Sequence, residues 1–111
     1  MKILLLSTAE AYRKILREEA RKRGHQIRVQ KDSDGPTETR SHVRWANMVV
    51  ASGNLPENAV GALYLAYDLK REVRAVEVNS PGWVNTYWRK QSVDEWVRRL
   101  PVLDEQRELF T

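Results

Sequence analysis

The first thirty residues alternate between two short apolar segments and one long basic segment. The apolar run Ile3–Leu6 ends at Ser7, and apolar side chains then recur at helical spacing until Gly24. After the glycine, residues 25–29 alternate between polar and apolar side chains, which is typical of a strand with one buried face. A strand, a helix and a strand in this order predict a β-α-β unit, in which two parallel strands are joined by a right-handed crossover.

The remainder of the chain continues this pattern. Met48–Ala51 is a continuous apolar run, as expected of a central parallel strand, and Val73–Val78 predicts a fourth strand. Short helices are predicted over residues 37–44, from Pro56 onwards, and after a capping box that begins at Ser92. The helix after Pro56 is predicted to bury Ala59, Val60, Leu63, Tyr64 and Tyr67. We therefore predict one Rossmann-like α/β domain over residues 1–111, a three-layer, flavodoxin-like fold with about four parallel strands in the order 2-1-3-4.

Several chemistries lack the residues that they require. The 111 residues include no cysteine, which excludes disulfides, cysteine-based zinc sites and thiol catalysis. The first strand is followed by neither Gly-x-Gly-x-x-Gly nor Gly-Lys-Ser/Thr, so a dinucleotide dehydrogenase or a P-loop enzyme is not expected. The two histidines, His25 and His42, lack the spacing of a metal site. We predict neither a metal nor a cofactor.

The apolar run at the start of the chain is short. Ile3–Leu6 is too short for a signal peptide or a membrane span. Together with the lack of cysteine, this favours a cytoplasmic protein without a membrane partner.

Small polar residues follow three of the predicted strands. In a doubly wound sheet with this strand order, ligands bind at the carboxyl ends of the first and third strands, where helix N-termini attract anions. We therefore predict a site for a small anionic or nucleotide-type ligand. The alternative is that the same residue types only cap their own helices, as in a capping box formed by Ser7 and Glu10. The predicted ligand-binding residues are Ser7, Thr8, Ser52, Gly53, Asn54, Asn79 and Ser80.

Positive charge is concentrated in the first half of the chain. Residues 1–55 contain 11 Lys/Arg and 6 Asp/Glu, a net charge of +5, whereas residues 56–111 contain 8 and 9, a net charge of −1. A basic helix would suit an acidic protein partner, although it is also a common solvated surface. No motif that reads nucleic acid is present, so nucleic acid is not an expected partner. The predicted partner-binding residues are Arg13, Lys14, Arg17 and Arg21.

Aromatic side chains cluster near the end of the chain. Trp83, Tyr87 and Trp88 lie close to two cations, an arrangement that stacks a nucleobase in some proteins and covers a sheet edge in others. Trp45 and Trp96 are predicted to pack in or beside the core. Four tryptophans in a chain of this size would also suit an aromatic homodimer interface, with internal packing as the alternative.

Three segments resemble the nucleoside 2-deoxyribosyltransferase-like group. They are Arg23–Val29, with its Gly-His pair before a strand, Val43–Ala51, and Gly61–Tyr67 ahead of the strand Val73–Val78. The opening strand and helix also resemble the N-terminal half of many glycosyltransferases and other Rossmann-like proteins. Membership of the group implies a Rossmann-like fold and chemistry at the N-glycosidic bond of a nucleoside, with a glutamate as the nucleophile.

The chain departs from that group at two positions. The nucleophilic glutamate falls at Leu65, and the aspartate of the third-strand motif is Asn47. The candidate replacements are Glu57 and Asp32, although Glu57 also suits a helix start and Asp32 a turn. Three hypotheses therefore remain: a non-catalytic module that binds a nucleotide-type ligand, a divergent N-glycosyl hydrolase or transferase, and a regulatory module that binds a protein through its basic helix.

Overall fold

The structure is a computed structural model that describes residues 1–102. Its parallel sheet has the strand order β2-β1-β3-β4-β5. The predicted α/β fold and the order 2-1-3-4 are confirmed, and a short fifth strand adds to the β4 edge. In chain order the elements are β1 (Lys2–Leu6), α1 (Glu10–Lys22), β2 (Gln26–Val29), α2 (Pro36–Trp45), β3 (Met48–Asn54), α3 (Ala59–Asp68), β4 (Glu72–Ser80), α4 (Val84–Tyr87), β5 (Lys90–Gln91) and α5 (Val93–Arg99).

Helices cover both faces of the sheet. Alternate residues of β1 point to opposite faces, so Leu4 and Leu6 belong to one core and Ile3 and Leu5 to the other. The first core packs under α2, α3 and α4, and the second packs under α1 and α5. In the second core, Trp96 is 2% exposed. Within residues 1–102, no helix is long and apolar enough to cross a membrane.

The buried face of α3 differs from the predicted one. Ala59 and Leu63 are buried as predicted, but Val60, Tyr64 and Tyr67 are exposed at 41%, 69% and 74%. The residues that complete the buried face are Ala62 and Ala66. Because α3 is apolar on all sides, the spacing of its apolar residues did not identify which side packs on the sheet. Alanine faces inward, and a small side chain there lets a helix approach a sheet closely.

The segment after β4 covers the edge of the sheet. Trp88 is half-buried and packs against the α2/α3 core, while Tyr87 is exposed and meets Trp83 edge to face at 6.0 Å. Ser92 accepts a hydrogen bond from the Glu95 N–H at 3.0 Å, as predicted for the start of α5. The structure thus places part of this aromatic segment in packing and part on the surface.

Candidate functional site

Ser7 and Thr8 lie at the end of β1, but neither caps α1. The helix begins at Glu10, and the Ser7 hydroxyl accepts a hydrogen bond from the Ala9 N–H at 3.1 Å. The Glu10 carboxylate lies 3.5 Å from the Arg13 guanidinium. The predicted capping box is therefore wrong. Residues 7–9 connect β1 to α1, and the hydrogen bond to the Ser7 hydroxyl stabilises this connection.

The ends of β1 and β3 are joined directly. The backbone N–H and the hydroxyl of Thr8 both donate to the Asn54 carbonyl, at 2.7 and 2.9 Å. Ser52 is buried, and its hydroxyl has no hydrogen-bond partner among the described residues. The structure thus brings together the two loops that were predicted to form the ligand site.

Gly53 allows α1 to pack closely over this edge. Its φ is +61°, and a Cβ at this position would lie 3.0 Å from the Ala9 Cβ and 3.0 Å from Tyr12 Cδ2. Any larger residue here would combine an unfavourable backbone conformation with a collision. By contrast, α3 begins only at Ala59, later than the predicted start at Pro56. The loop after β3 therefore does not lead directly into a helix.

Glu77 is a residue of this edge that no sequence pattern indicated. It sits in β4 with a φ of +49°, and the register shifts there, since Ser52 pairs with Val76 whereas Gly53 pairs with Val78. A positive φ costs a residue with a side chain about 1–2 kcal/mol. Such strained residues concentrate at functional sites.

The fold holds the Glu77 carboxylate by both oxygens. The Tyr12 phenol donates to Oε1 at 3.1 Å, and the Val93 N–H donates to Oε2 at 2.8 Å. The hydrogen bond to Glu77 is the main reason that the pKa of Tyr12 is raised, with burial and the carboxylate charge adding to it. The phenol is therefore protonated at neutral pH and serves as a donor. One carboxylate thus connects β4 to the first turns of α1 and α5.

The two carboxylates predicted as catalytic candidates occupy exposed turns. Asp32 lies in the loop after β2, and Glu57 lies in the turn before α3. Neither forms a hydrogen bond or an ion pair with another residue of the described range 1–102. Leu65, where the resemblance placed a nucleophilic glutamate, lies on α3 and packs against the α2/α3 core. Unlike Asp32 and Glu57, Glu77 is held in place at the edge by hydrogen bonds.

Asn79 and Ser80 end β4 and are exposed. Asn54 pairs with Ser80, whose carbonyl accepts a hydrogen bond from the Leu55 N–H at 2.9 Å. These two predicted ligand-binding residues therefore lie beside the end of β3. Their role in binding a ligand stays a prediction.

The predicted partner-binding residues of α1 divide into two groups. Arg13 donates from Nε to the Ser7 carbonyl at 2.7 Å, and its side chain is 26% exposed. Lys14 and Arg21 are exposed, and Arg17 is half-buried. Arg13 thus belongs to the edge of the sheet, whereas a role of the other three in binding a protein stays a prediction.

The two histidines have structural contacts. His25 is buried, with Nδ1 at 2.7 Å from the amino group of Met1 and Nε2 against the Pro101 carbonyl. Because a carbonyl only accepts, Nε2 carries the proton, and burial is the main cause of a lowered pKa for His25. His42 lies 3.3 Å from the Asp34 carboxylate. No group of three or more His, Asp or Glu side chains in residues 1–102 is arranged to hold a metal.

Two grooves flank α3, away from Glu77. One, of about 450 Å³, lies between α2 and α3, and the other, of about 460 Å³, lies beside Tyr67, Arg71 and Trp88. Neither groove is lined by a predicted ligand-binding residue. The edge around Glu77 and the surface of α3 are therefore separate features.

Comparison with known proteins identifies the fold. No protein-family model matches the sequence, and no curated protein matches it. The solved structure of the CMP N-glycosidase BcmB from Clostridium botulinum is similar, with a TM-score of 0.59 over 89% of this chain and 97% of that chain, at 8% sequence identity. At this identity the similarity is one of fold. The chain therefore has an α/β fold shared with an N-glycosidase, which agrees with the fold that the resemblance to nucleoside 2-deoxyribosyltransferases implied.

Proposed function

We propose that this domain hydrolyses the N-glycosidic bond of a nucleoside or nucleotide, with Glu77 as the carboxylate that faces the anomeric carbon. The observation that carries the proposal is the Glu77 carboxylate, held by the Tyr12 phenol and the Val93 N–H at the carboxyl edge of the sheet. Ligands of doubly wound sheets bind at this edge. The fold that the chain shares with a CMP N-glycosidase supports this reaction class.

In the proposed reaction, the Glu77 carboxylate acts at the sugar and the Tyr12 phenol positions that carboxylate. When the bond between the sugar C1′ and the base nitrogen breaks, positive charge develops on the sugar, and an ionised carboxylate stabilises it or attacks C1′ to form a glycosyl ester. Water then supplies the hydroxyl at C1′ and the proton that the departing base receives. Tyr12 fixes the direction of one carboxylate oxygen, so it acts as a positioning residue.

The anionic part of a nucleotide requires donors on the same edge. The first N–H groups of a helix lack backbone partners and attract phosphate, and α1 begins beside this edge at Glu10. Arg13 adds a guanidinium that is fixed by its bond to the Ser7 carbonyl. We propose that these donors, with the side chains of Ser7, Thr8 and Asn54, bind the phosphate and the sugar.

The test is release of the free base from CMP, other nucleotides and nucleosides, measured by chromatography. Glu77→Gln should lower the rate by about 10²-fold or more, the usual loss when a group that stabilises charge in the transition state is removed. Glu57→Gln and Asp32→Asn are the matched controls and should keep the wild-type rate. Circular dichroism must show that Glu77→Gln is folded, since this change also removes an acceptor for the Val93 N–H.

Two results would overturn the assignment. One is turnover that survives in folded Glu77→Gln, and the other is turnover that is lost in Glu57→Gln or Asp32→Asn but not in Glu77→Gln. Arg13→Ala should weaken the use of nucleotides more than that of the corresponding nucleosides, because only the nucleotide has a phosphate.

A second candidate is a module that binds a nucleotide-type ligand without cleaving it. It is favoured because both Glu77 oxygens already accept hydrogen bonds and because the family's nucleophile position holds Leu65. Thermal unfolding separates the two candidates. Ligand at ten times its Kd stabilises a folded protein by about 1.4 kcal/mol, and such a shift without base release would support the binding module.

A further inference from the structure

β2 lies at one edge of the sheet, and within residues 1–102 no strand pairs with its outer side. The N–H groups of Gln26 and Gln30 donate to the Met1 and Leu5 carbonyls of the β1 side at 3.0 and 2.9 Å. Successive residues of a strand direct their backbone groups to opposite sides, so the N–H and C=O groups of Ile27 and Val29 point away from β1. Such an exposed row can pair with a strand from another chain.

Cationic side chains surround this edge. Three of them come from α1, one from β2 and one from the loop after β2. One is half-buried and the others are exposed, and none forms an ion pair with a carboxylate of residues 1–102. We call these residues the β2-edge cations: Lys14, Arg17, Arg21, Arg28 and Lys31.

The arginines of α1 lie on the side of that helix nearest β2. With 3.6 residues per turn, Arg17 and Arg21 lie about 140° and 180° around the helix axis from Tyr12. Tyr12 reaches across the sheet to Glu77 of β4. Because β2 is at the other end of the strand order from β4, the two arginines face away from Glu77 and toward β2.

Arg28 brings positive charge to the other face of the same edge. It pairs with Leu4, whose side chain belongs to the core under α2 and α3, so Arg28 also lies on that face. Its guanidinium is 4.2 Å from the centre of the Trp45 ring. This contact orients the guanidinium without neutralising its charge. Cations thus flank the open edge on both faces of the sheet.

Few carboxylates balance these cations. Between residues 10 and 32, Glu10 is paired with Arg13 and Glu19 with its neighbours on α1, which leaves Glu18 and Asp32. The excess of positive charge selects an acidic partner. Nucleic acid is also acidic, but it has no peptide backbone to pair with the open side of β2. The edge and the charge together favour an acidic polypeptide.

We propose that β2 binds an extended acidic segment of another protein, which adds to the sheet as a further strand. Backbone hydrogen bonds to Ile27 and Val29 hold the segment. Its side chains alternate between the two faces, so its carboxylates meet Arg17 on one face and Arg28 on the other. The proposal does not depend on the reaction at Glu77, because β1 and β3 separate β2 from β4.

The test uses a synthetic peptide, Thr-Glu-Glu-Thr-Thr-Glu-Glu-Thr, which as a strand carries glutamates on both faces. Calorimetric titration of the whole chain should detect binding that weakens as salt rises from about 0.05 to 0.5 M, since salt screens exposed charges. The same peptide with lysine in place of glutamate should not bind. A peptide with proline in place of threonine keeps every carboxylate but cannot pair as a strand, so its Kd should be higher by at least about tenfold.

Charge reversal tests the position of the surface. Arg17→Glu and Arg28→Glu, which change opposite faces of the edge, should each raise the Kd of the acidic peptide by about tenfold. The matched control is Lys22→Glu, which should leave the Kd unchanged. Lys22 is an exposed cation of α1, but it is paired with Glu19 and lies about 140° around the helix from Arg17. Circular dichroism checks that each variant is folded.

Amide exchange measured by NMR tests strand pairing in the unchanged chain. The N–H groups of Ile27 and Val29 should exchange rapidly in the free protein, and the acidic peptide should slow both. The N–H of Arg28 faces β1 and should change little. A peptide that only contacts the cations would leave the exchange of Ile27 and Val29 unaltered.

The proposal is overturned if the acidic peptide does not bind at concentrations up to about 1 mM, or if it binds without slowing exchange at Ile27 and Val29. It is also overturned if Lys22→Glu weakens binding as much as Arg17→Glu. Double-stranded DNA of mixed sequence is the competing probe. DNA that binds more tightly than the peptide and is lost in the Arg17 and Arg28 variants would assign the surface to nucleic acid instead. Base release at Glu77 is measured separately, so the two proposals fail separately.

Discussion

The helices on the two faces of the sheet differ in where they carry their large side chains. On α1, Leu16 is fully buried and the outer surface is charged. On α3, alanines face the sheet and the tyrosines face outward. The outer side of α1 is thus suited to water, whereas that of α3 exposes apolar area, which costs free energy unless a partner covers it. The two faces of the sheet therefore present different surfaces to solvent, and the Glu77 carboxylate is held by the helices of the α1 face.

The largest expected effect is in the core under α1. Leu16→Ala should lower the free energy of unfolding by about 2–5 kcal/mol, because it leaves a cavity against a tightly packed sheet. Ile15→Ala, one residue away but 44% exposed, should cost less than about 1 kcal/mol. Urea denaturation measures both values. Equal losses would contradict the division of α1 into a buried and an exposed side.

The next effect concerns the strain at Glu77. Glu77→Gly should be more stable than Glu77→Ala by about 1–2 kcal/mol, because only glycine adopts a positive φ without cost. Both variants lose the same carboxylate, so their difference isolates the backbone. The control is Glu72, which begins the same strand with an ordinary φ, where alanine should be the more stable residue. If alanine is preferred at both positions, position 77 is not strained.

The smallest effect is a gain in stability on the α3 side. Gly61→Ala should stabilise the monomer by up to about 1 kcal/mol, since alanine has the higher helix propensity and the space is open. Gly53→Ala should destabilise, because its Cβ would collide with Ala9 and its φ is positive. Thermal unfolding at low concentration compares the two variants. Destabilisation by Gly61→Ala would contradict the open space beside position 61.

The fold was predictable because each central strand is a short apolar run between turn residues. Met48–Ala51 and Ile3–Leu6 carry this signal in their own residues, and the right-handed crossover then limits the order of the strands. β5 was missed because two residues, Lys90 and Gln91, have no pattern of their own and pair only where β4 is already in place. The orientation of α3 was missed for the opposite reason, since apolar residues occur on every side of it.

The position of the candidate site could be predicted from the sequence, but the residue proposed to carry out its chemistry could not. The polar residues after β1 and β3 do meet, as the Thr8–Asn54 hydrogen bonds show. Glu77 carried no signal, because a glutamate in an alternating strand has the pattern of a solvent-facing position. Its positive φ accompanies the register shift opposite Gly53, and its two donors come from α1 and α5, which lie 65 and 16 residues away along the chain. Glu57 near a predicted helix start and Asp32 after a predicted strand were the candidates that the sequence indicated, but both lie in exposed turns.

The fluorescence of Trp96 reports on the core under α1 and α5. Its indole is 2% exposed and lies in the same core as Leu16, whereas Trp83 is 37% exposed and Trp45 lies under the Arg28 guanidinium at 4.2 Å. Indole emission moves to longer wavelength when water reaches the ring, so the four tryptophans emit from different surroundings. With Trp96→Phe as the reference, the difference spectrum reports the opening of one face of the sheet without an added label. The chain therefore contains its own optical probe for the half of the molecule that holds Glu77 in place.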